Sequence, residues 1–183
     1  LAVSEFCLGC MPFNDRIEGA EIDALVDAFR ENGGNFYDTA HCYSFWTDAG
    51  AGGSERALGD YIRRRRCRDE SVVATKGAHP PVKGYRDDEN YMSRERIVAD
   101  IDESLERLRM DCIDLYWLHR DDPRVPVAEI LEILDEEVRR GRIRFFGGSN
   151  WTAERLDEAN AYAAEHGLDG FVASQPRWSL LQY

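Results

Sequence analysis

Short β-like runs alternate with amphipathic helices along the 183 residues, and this pattern predicts an α/β fold of the (β/α)8 TIM barrel class. The alternation repeats about six times with no second compositional regime, which indicates a single parallel sheet with right-handed crossovers. Predicted strands end near positions 10, 38, 76, 119, 149 and 175, or about one βα unit per 33 residues. Eight such units need about 260 residues, so about six are present in this chain.

Six strands of a barrel leave two sheet edges with unpaired backbone groups, which natural proteins usually cover. Three explanations are open: the chain is part of a longer one, the edges pair with another copy, or the sheet is open and doubly wound. We favour the first explanation. We therefore expect one barrel domain over residues 1–183 that is incomplete at its C-terminus, with strands 7 and 8 not present.

The first half of the chain contains two predicted strands, at 5–10 and 35–37, each followed by a helix. Gly33 and Gly34 end the first helix, and Ser54 is the expected N-cap of the second. The apolar positions that we expect to face the sheet recur at helical spacing: Ile22, Leu25, Val26 and Phe29, then Leu58, Tyr61 and Ile62.

The second half repeats the alternation four times. Predicted strands at 71–75, 113–118, 143–146 and 171–174 are separated by three helices. The helix signals are conventional, with a serine or threonine cap or a proline in the first turn, and glycine after two of the helix ends: Ser93, Pro126, Gly141, Thr152 and Gly167.

Composition excludes several classes of partner and compartment. The net charge of −12 disfavours binding to nucleic acid or to an anionic membrane, and no apolar run is long enough to span a bilayer. Five cysteines without a loop-rich framework suit a reducing compartment, so we expect a cytoplasmic protein. Cys7 and Cys10 form a lone C-x-x-C without a second pair, and we predict no metal site.

Polar residues follow the predicted strands at the points where the strands end. A barrel brings such residues together at one face, although each alone also has an ordinary structural explanation. The set comprises Asp38, Tyr43, Lys76, His119, Ser149, Asn150 and Gln175.

This set suits proton donation to a carbonyl oxygen. A phenol has an ordinary pKa of about 10, and Lys76, held by Asp38, is expected to lower the pKa of Tyr43 toward the working range. His119 would orient the carbonyl and share the proton. No side chain supplies a hydride, so a cofactor must carry it, and no G-x-G-x-x-G motif indicates a Rossmann site. The amide-rich residues Ser149, Asn150 and Gln175 could hydrogen-bond a carboxamide such as that of nicotinamide.

Five motifs together resemble the aldo-keto reductase family over essentially the whole chain. They are Asp38-Thr39-Ala40-x-x-Tyr43, Lys76 after the third strand, the run 113–119, Gly148-Ser149-Asn150 and Gln175. The resemblance implies a barrel that binds NADPH in extended form and reduces aldehydes or ketones by hydride transfer.

The resemblance also implies roles for individual residues. Tyr43 would be the acid, Lys76 and Asp38 its activators and His119 the group that orients the substrate. Ser149, Asn150 and Gln175 would hold the carboxamide, with Asp38 beside them and Gly9, Cys10 and Met11 lining the floor. Family members hold the 2′-phosphate and pyrophosphate with residues after strands 7 and 8, so we expect weak cofactor binding if this chain were complete.

The loop 44–53 is longer than the link usual in the family. Phe45 and Trp46 are placed either to wall a substrate pocket or to pack on a neighbouring helix. We expect an NADP-dependent oxidoreductase acting on a small-molecule carbonyl or alcohol, with a sugar as one candidate. The alternatives are a barrel of this family kept as a binding or regulatory subunit, and an unrelated lyase or aldolase with Lys76 as a Schiff base. The oligomeric state stays open.

Overall fold

The computed structural model describes residues 1–179, and within them six parallel strands form one curled sheet with helices between them. This is a partial (β/α)8 barrel, as the sequence predicts, although the last four residues of the predicted domain lie outside the described part. The strands are β1 (Cys7–Gly9), β2 (Phe36–Asp38), β3 (Val72–Gly77), β4 (Ile113–Leu118), β5 (Ile143–Ser149) and β6 (Ala173–Gln175).

The strand order follows the chain order, β1-β2-β3-β4-β5-β6. A doubly wound sheet reverses its order at a switch point, so the curled sheet excludes the open doubly wound alternative. Within residues 1–179, β1 pairs only with β2 and β6 only with β5. Across the sheet, the register sets Gly9 beside Asp38 and Ser149 beside Gln175, which brings the carboxyl ends of the strands to one rim.

Within residues 1–179 five α-helices connect these strands: α1 (Ala20–Glu31), α2 (Gly53–Arg65), α3 (Arg94–Leu108), α4 (Val127–Arg139) and α5 (Ala153–His166). The predicted caps of α3 and α5 are confirmed, since Ser93 and Thr152 accept hydrogen bonds from the backbone N–H groups of Arg96 and Arg155. The predicted cap of α2 is wrong. Gly52 occupies that position in a left-handed conformation, and Ser54 is buried in the first turn instead.

The apolar core lies between the helices and the outer face of the sheet, because strand side chains alternate between the two faces. Tyr37, Val73 and Tyr116 point into this layer, together with Ile22 and Val26 of α1. The prediction that Leu25 faces inward is wrong: Leu25 is 37% exposed. The reason is that α1 presents only a narrow stripe to the sheet.

On the concave face Ala74, Leu115 and Trp117 form a smaller apolar group, and the last two of these border a hollow of about 500 Å³. No helix within residues 1–179 has both the length and the apolar character needed to cross a bilayer.

Gly59 of α2 lies directly against the backbone of Leu108, the last residue of α3. A Cβ added there would lie 2.7 Å from the carbonyl carbon of Leu108, which is backbone and cannot rotate away. Glycine to alanine inside a helix normally stabilises by about 0.5–1 kcal/mol. For Gly59→Ala we expect the opposite sign, a loss of about 1–3 kcal/mol in the free energy of unfolding, measured by urea denaturation. Arg63→Ala, at an exposed site of the same helix, serves as the control and should change stability by less than about 0.5 kcal/mol; a stabilised Gly59→Ala protein would contradict this packing.

Candidate active site

A buried ion pair joins the ends of β2 and β3. The Lys76 ammonium donates hydrogen bonds to Oδ2 of Asp38 and, over 2.8 Å, to the carbonyl oxygen of Thr39. Lys76 is 2% exposed and Asp38 is also buried. Burial acts to lower the pKa of Lys76, but Asp38 and Tyr43 more than offset it, and the pKa is raised. Lys76 is therefore charged at neutral pH.

The loop after β2 continues the sheet ladder and carries Tyr43 to this cation. The backbone N–H of Thr39 donates to the backbone carbonyl of Ala74 at 2.9 Å. The backbone N–H of His41 donates to the backbone carbonyl of Lys76 at 2.8 Å. The Thr39 hydroxyl lies 2.7 Å from the hydroxyl of Ser54, which donates to the carbonyl of Cys10. These bonds hold the loop from both sides, so backbone pairing positions Tyr43.

The Tyr43 ring lies beside the ammonium, with Nζ of Lys76 5.0 Å from the ring centroid. Burial raises the pKa of the Tyr43 phenol, and the charge of Lys76 opposes this shift without reversing it. The expectation that Lys76 brings the pKa below its ordinary value is therefore wrong, because burial penalises the phenolate more than the ammonium favours it. The phenol keeps its proton at neutral pH.

His119 follows β4 and faces Tyr43, with the two rings nearly perpendicular and their centroids 6.0 Å apart. Its backbone N–H donates to the carbonyl of Gly77 at 2.8 Å. Burial, reinforced by the positive charge of Lys76, lowers the pKa of His119 to about 2. The imidazole is therefore neutral near pH 7. It can donate a hydrogen bond from one ring nitrogen and accept one at the other, so its part in sharing the proton stays a prediction.

Two further rings that sequence reasoning left outside the site belong to this group. His79 contacts His119 with ring centroids 4.7 Å apart, and Tyr85 contacts His79 at 5.8 Å. The ring centroid of Phe45 lies 5.7 Å from that of Tyr85 and 5.0 Å from that of Trp46. A continuous series of rings therefore runs from His119 outward. Trp46 ends the series and is 46% exposed. The position of His79 three residues after Lys76, just past the same strand end, is the signal that could have identified it.

The amide-rich residues gather at the ends of β5 and β6. Ser149 is buried, and its hydroxyl lies 3.1 Å from Nδ2 of Asn150, which donates to it. Asn150 also accepts the backbone N–H of Arg177 at 3.1 Å, so both ends of its side chain are engaged within the chain. The side-chain amide of Gln175 hydrogen-bonds no other residue in the described range.

The three predicted floor residues separate in the structure. Gly9 borders open space, since an added Cβ would meet nothing within 4 Å. Met11 is 45% exposed. Cys10 is fully buried in the helix-side core, where its thiol contacts the carbonyl of Leu8 at 3.4 Å. Because the residue after an inward-facing Gly9 points outward, Cys10 can border the floor only through its backbone, and its place there stays a prediction.

Comparisons with known proteins identify the family of the chain. The model of the Aldo/keto reductase family matches residues 5–183, and the chain belongs to that family. It is 33% identical over its whole length to the uncharacterized oxidoreductase YrpG of Bacillus subtilis, covering 56% of that protein. It is 35% identical to norsolorinic acid reductase B of Aspergillus parasiticus, with 98% of this chain and 48% of the relative covered. It is also 35% identical to 6-dehydroglucose reductase of Novosphingobium aromaticivorans, with 89% of this chain and 51% of the relative covered. The chain thus spans about half the length of the curated relatives it matches.

The low pKa of His119 makes the stability of the fold depend on pH. The unfolded chain takes up a proton on this imidazole below about pH 6.5, whereas the folded protein excludes it until about pH 2. Between these values the unfolded state binds more protons, so the free energy of unfolding falls on acidification by up to about 1.4 kcal/mol per pH unit. When the pH falls from about 7 to about 5, we expect the free energy of unfolding of the wild type to fall by about 2 kcal/mol more than that of His119→Asn. Urea denaturation at the two pH values measures the difference.

His166→Asn is the matched control for this prediction. It removes a histidine from the exposed outer face of α5, and it should keep the pH dependence of the wild type. Equal acid sensitivity in His119→Asn and the wild type would contradict the burial argument.

Proposed function

We propose that this member of the aldo/keto reductase family is an NADP-dependent oxidoreductase that reduces an aldehyde or ketone of a small molecule, or oxidises the alcohol. The observation that carries the proposal is the buried Lys76–Asp38 ion pair beside the protonated phenol of Tyr43, with the neutral imidazole of His119 facing it. Carbonyl reduction requires three groups of a protein. They are an acid, a cation that stabilises the conjugate base of that acid, and a hydrogen-bond donor.

In the proposed reaction Tyr43 donates its proton to the carbonyl oxygen. Lys76 lies close enough to stabilise the negative charge that develops on the phenol oxygen, and Asp38 holds the ammonium in place. Neutral His119 donates a ring N–H to the same carbonyl oxygen and orients it. Because burial keeps Tyr43 protonated, the site is best suited to reduction at neutral pH, and alcohol oxidation should require a higher pH.

The residues present fit a nicotinamide cofactor, which supplies the hydride when bound. Oδ1 of Asp38 is buried without a hydrogen-bond partner in the described part of the chain, and the Gln175 amide is likewise unengaged. Gln175 and Ser149 would hold the carboxamide, with Asn150 bracing Ser149 through its Nδ2. The open space over Gly9 leaves room for a flat ring. The preference for NADP over NAD rests on the family resemblance.

The ring series from His119 to Trp46 is the proposed wall of the substrate pocket. Phe45 is tied to the centre through Tyr85 and His79, which supports its assignment to the wall. Among the relatives, one is named for 6-dehydroglucose and another for norsolorinic acid. The relative named for 6-dehydroglucose supports a sugar carbonyl as the candidate substrate of this chain. Five free thiols support a cytoplasmic location.

Tyr43→Phe tests the acid directly. The change removes one hydroxyl and keeps the ring, so turnover of an aldehyde panel should fall by about 10²–10⁴-fold while the fluorescence change on NADPH binding stays. Tyr162→Phe, which removes a phenol from the exterior of α5, should keep full activity. Unchanged turnover in Tyr43→Phe would rule out this mechanism. A wild type that binds NADPH without oxidising it would instead indicate the binding or regulatory subunit.

Gly9→Val tests the cofactor floor. The Cβ of the new side chain would meet nothing within 4 Å in the open space over β1, so the thermal midpoint should change little while NADPH binding weakens by about tenfold or more. Leu8→Val alters the opposite face of the same strand and should leave cofactor affinity intact. If Gly9→Val bound NADPH as tightly as the wild type, the nicotinamide would have to lie elsewhere.

A further inference from the structure

Three side chains of metal-ligand type converge at the inner end of the ring series. Cys42 lies on the loop after β2, while His79 and His119 follow β3 and β4, so three adjacent strand ends each contribute one. One ligand atom from each lies within 4.8 Å of the other two. Cys42 and His119 are buried and His79 is half-buried. The cluster uses one of five cysteines and two of four histidines in the chain.

The spacing matches tetrahedral coordination. With Zn–S and Zn–N bonds of about 2.3 and 2.05 Å, sulfur and nitrogen ligands of one zinc ion lie about 3.6 Å apart. Sγ of Cys42 is 3.7 Å from Nδ1 of His119. The ligand atom of His79 lies within 4.8 Å of both, so coordination requires His79 to move toward the other two.

The hydrogen bonding of His79 favours a ligand role. Its Nδ1 lies 2.8 Å from the carbonyl oxygen of Pro80, which can only accept, so Nδ1 carries the proton. Nε2 therefore has a free lone pair. Metal-binding histidines characteristically donate their other ring N–H to a backbone carbonyl or carboxylate, which fixes the tautomer and the direction of the ring.

We propose that Cys42, His79 and His119 form a binding site for a single Zn²⁺ or a similar thiophilic divalent ion, with a fourth position open to the pocket. One thiolate and two imidazoles are a ligand set that suits zinc better than magnesium or calcium. The thiol proton of Cys42 passes to solvent when the ion binds. Asp38 compensates the positive charge of Lys76, so Lys76 repels a metal ion little. Arg120 donates only to the carbonyl of His119 in the described chain, so its positive charge opposes binding of the ion.

The ion would act as a reversible inhibitor. Once a ring nitrogen of His119 is coordinated, the imidazole and the space beside Tyr43 are no longer available to a carbonyl oxygen. Inhibition should be relieved by a chelator and should compete with the carbonyl substrate. This consequence rests on the proposed function, but the binding does not, so the two can fail separately.

The test is a titration of the chelator-treated full chain with Zn²⁺ against a chromophoric competitor, with Cd²⁺ as a probe for thiolate ligation. We expect one tightly bound ion and an ultraviolet Cd–thiolate band. Cys42→Ser should remove the band, and both it and His79→Gln should weaken zinc binding by about tenfold or more. Far-ultraviolet circular dichroism checks that each variant is folded, and the two variants lie on different loops.

Cys112→Ser and His166→Gln are the matched controls, since both residues lie on other elements, away from the cluster. They should bind zinc as the wild type does. The proposal is overturned if the wild type binds no zinc, or if folded Cys42→Ser and His79→Gln bind it with unchanged affinity. The first result would leave the Cys42–His119 contact as a thiol hydrogen bond, and the second would place the ion elsewhere.

Discussion

The buried ion pair of Lys76 and Asp38 sets the electrostatics of the whole rim. Removing either partner would leave an uncompensated charge under the sheet edge, which typically costs about 3–5 kcal/mol. The same ammonium opposes the burial shift of Tyr43 and helps to lower the pKa of His119. One charge thus acts on both the phenol and the imidazole. Burial keeps the Tyr43 phenol protonated despite this charge, whereas burial and the charge together keep the His119 imidazole neutral.

A second layer of charged groups holds the loops that carry the site. Glu55 is fully buried in α2, where it accepts a hydrogen bond from Thr75 of β3 at 2.6 Å and pairs with Arg107 of α3. Arg107 also donates to the carbonyl of His41 at 3.3 Å. Two helices and the strand of Lys76 therefore brace the loop from which Tyr43 projects. This explains why buried charges accompany a site that needs sub-ångström placement.

His41 links that loop to the next one. Its Nδ1 lies 2.6 Å from the Tyr85 hydroxyl, and its Nε2 lies 3.0 Å from Glu103. The proposed catalytic loop and the proposed pocket wall are thereby joined through one imidazole, and His79 is carried on the same wall. The three adjacent strand ends after β2, β3 and β4 thus form one unit, which is why carbonyl chemistry and metal binding would draw on shared residues.

The sequence by itself determined the order of strands and helices, and it identified the polar residues at the strand ends. Both follow from short-range periodicity, and parallel strands necessarily bring their carboxyl ends to one rim. Even so, it misjudged the exposure of Leu25 and the cap at Ser54. Only the tertiary structure decided that burial outweighs Lys76 in setting the pKa of Tyr43, that His119 is neutral, and that His79 stands beside it. Desolvation and pairwise distance depend on neighbours that lie dozens of residues away in the chain, and no local pattern encodes them.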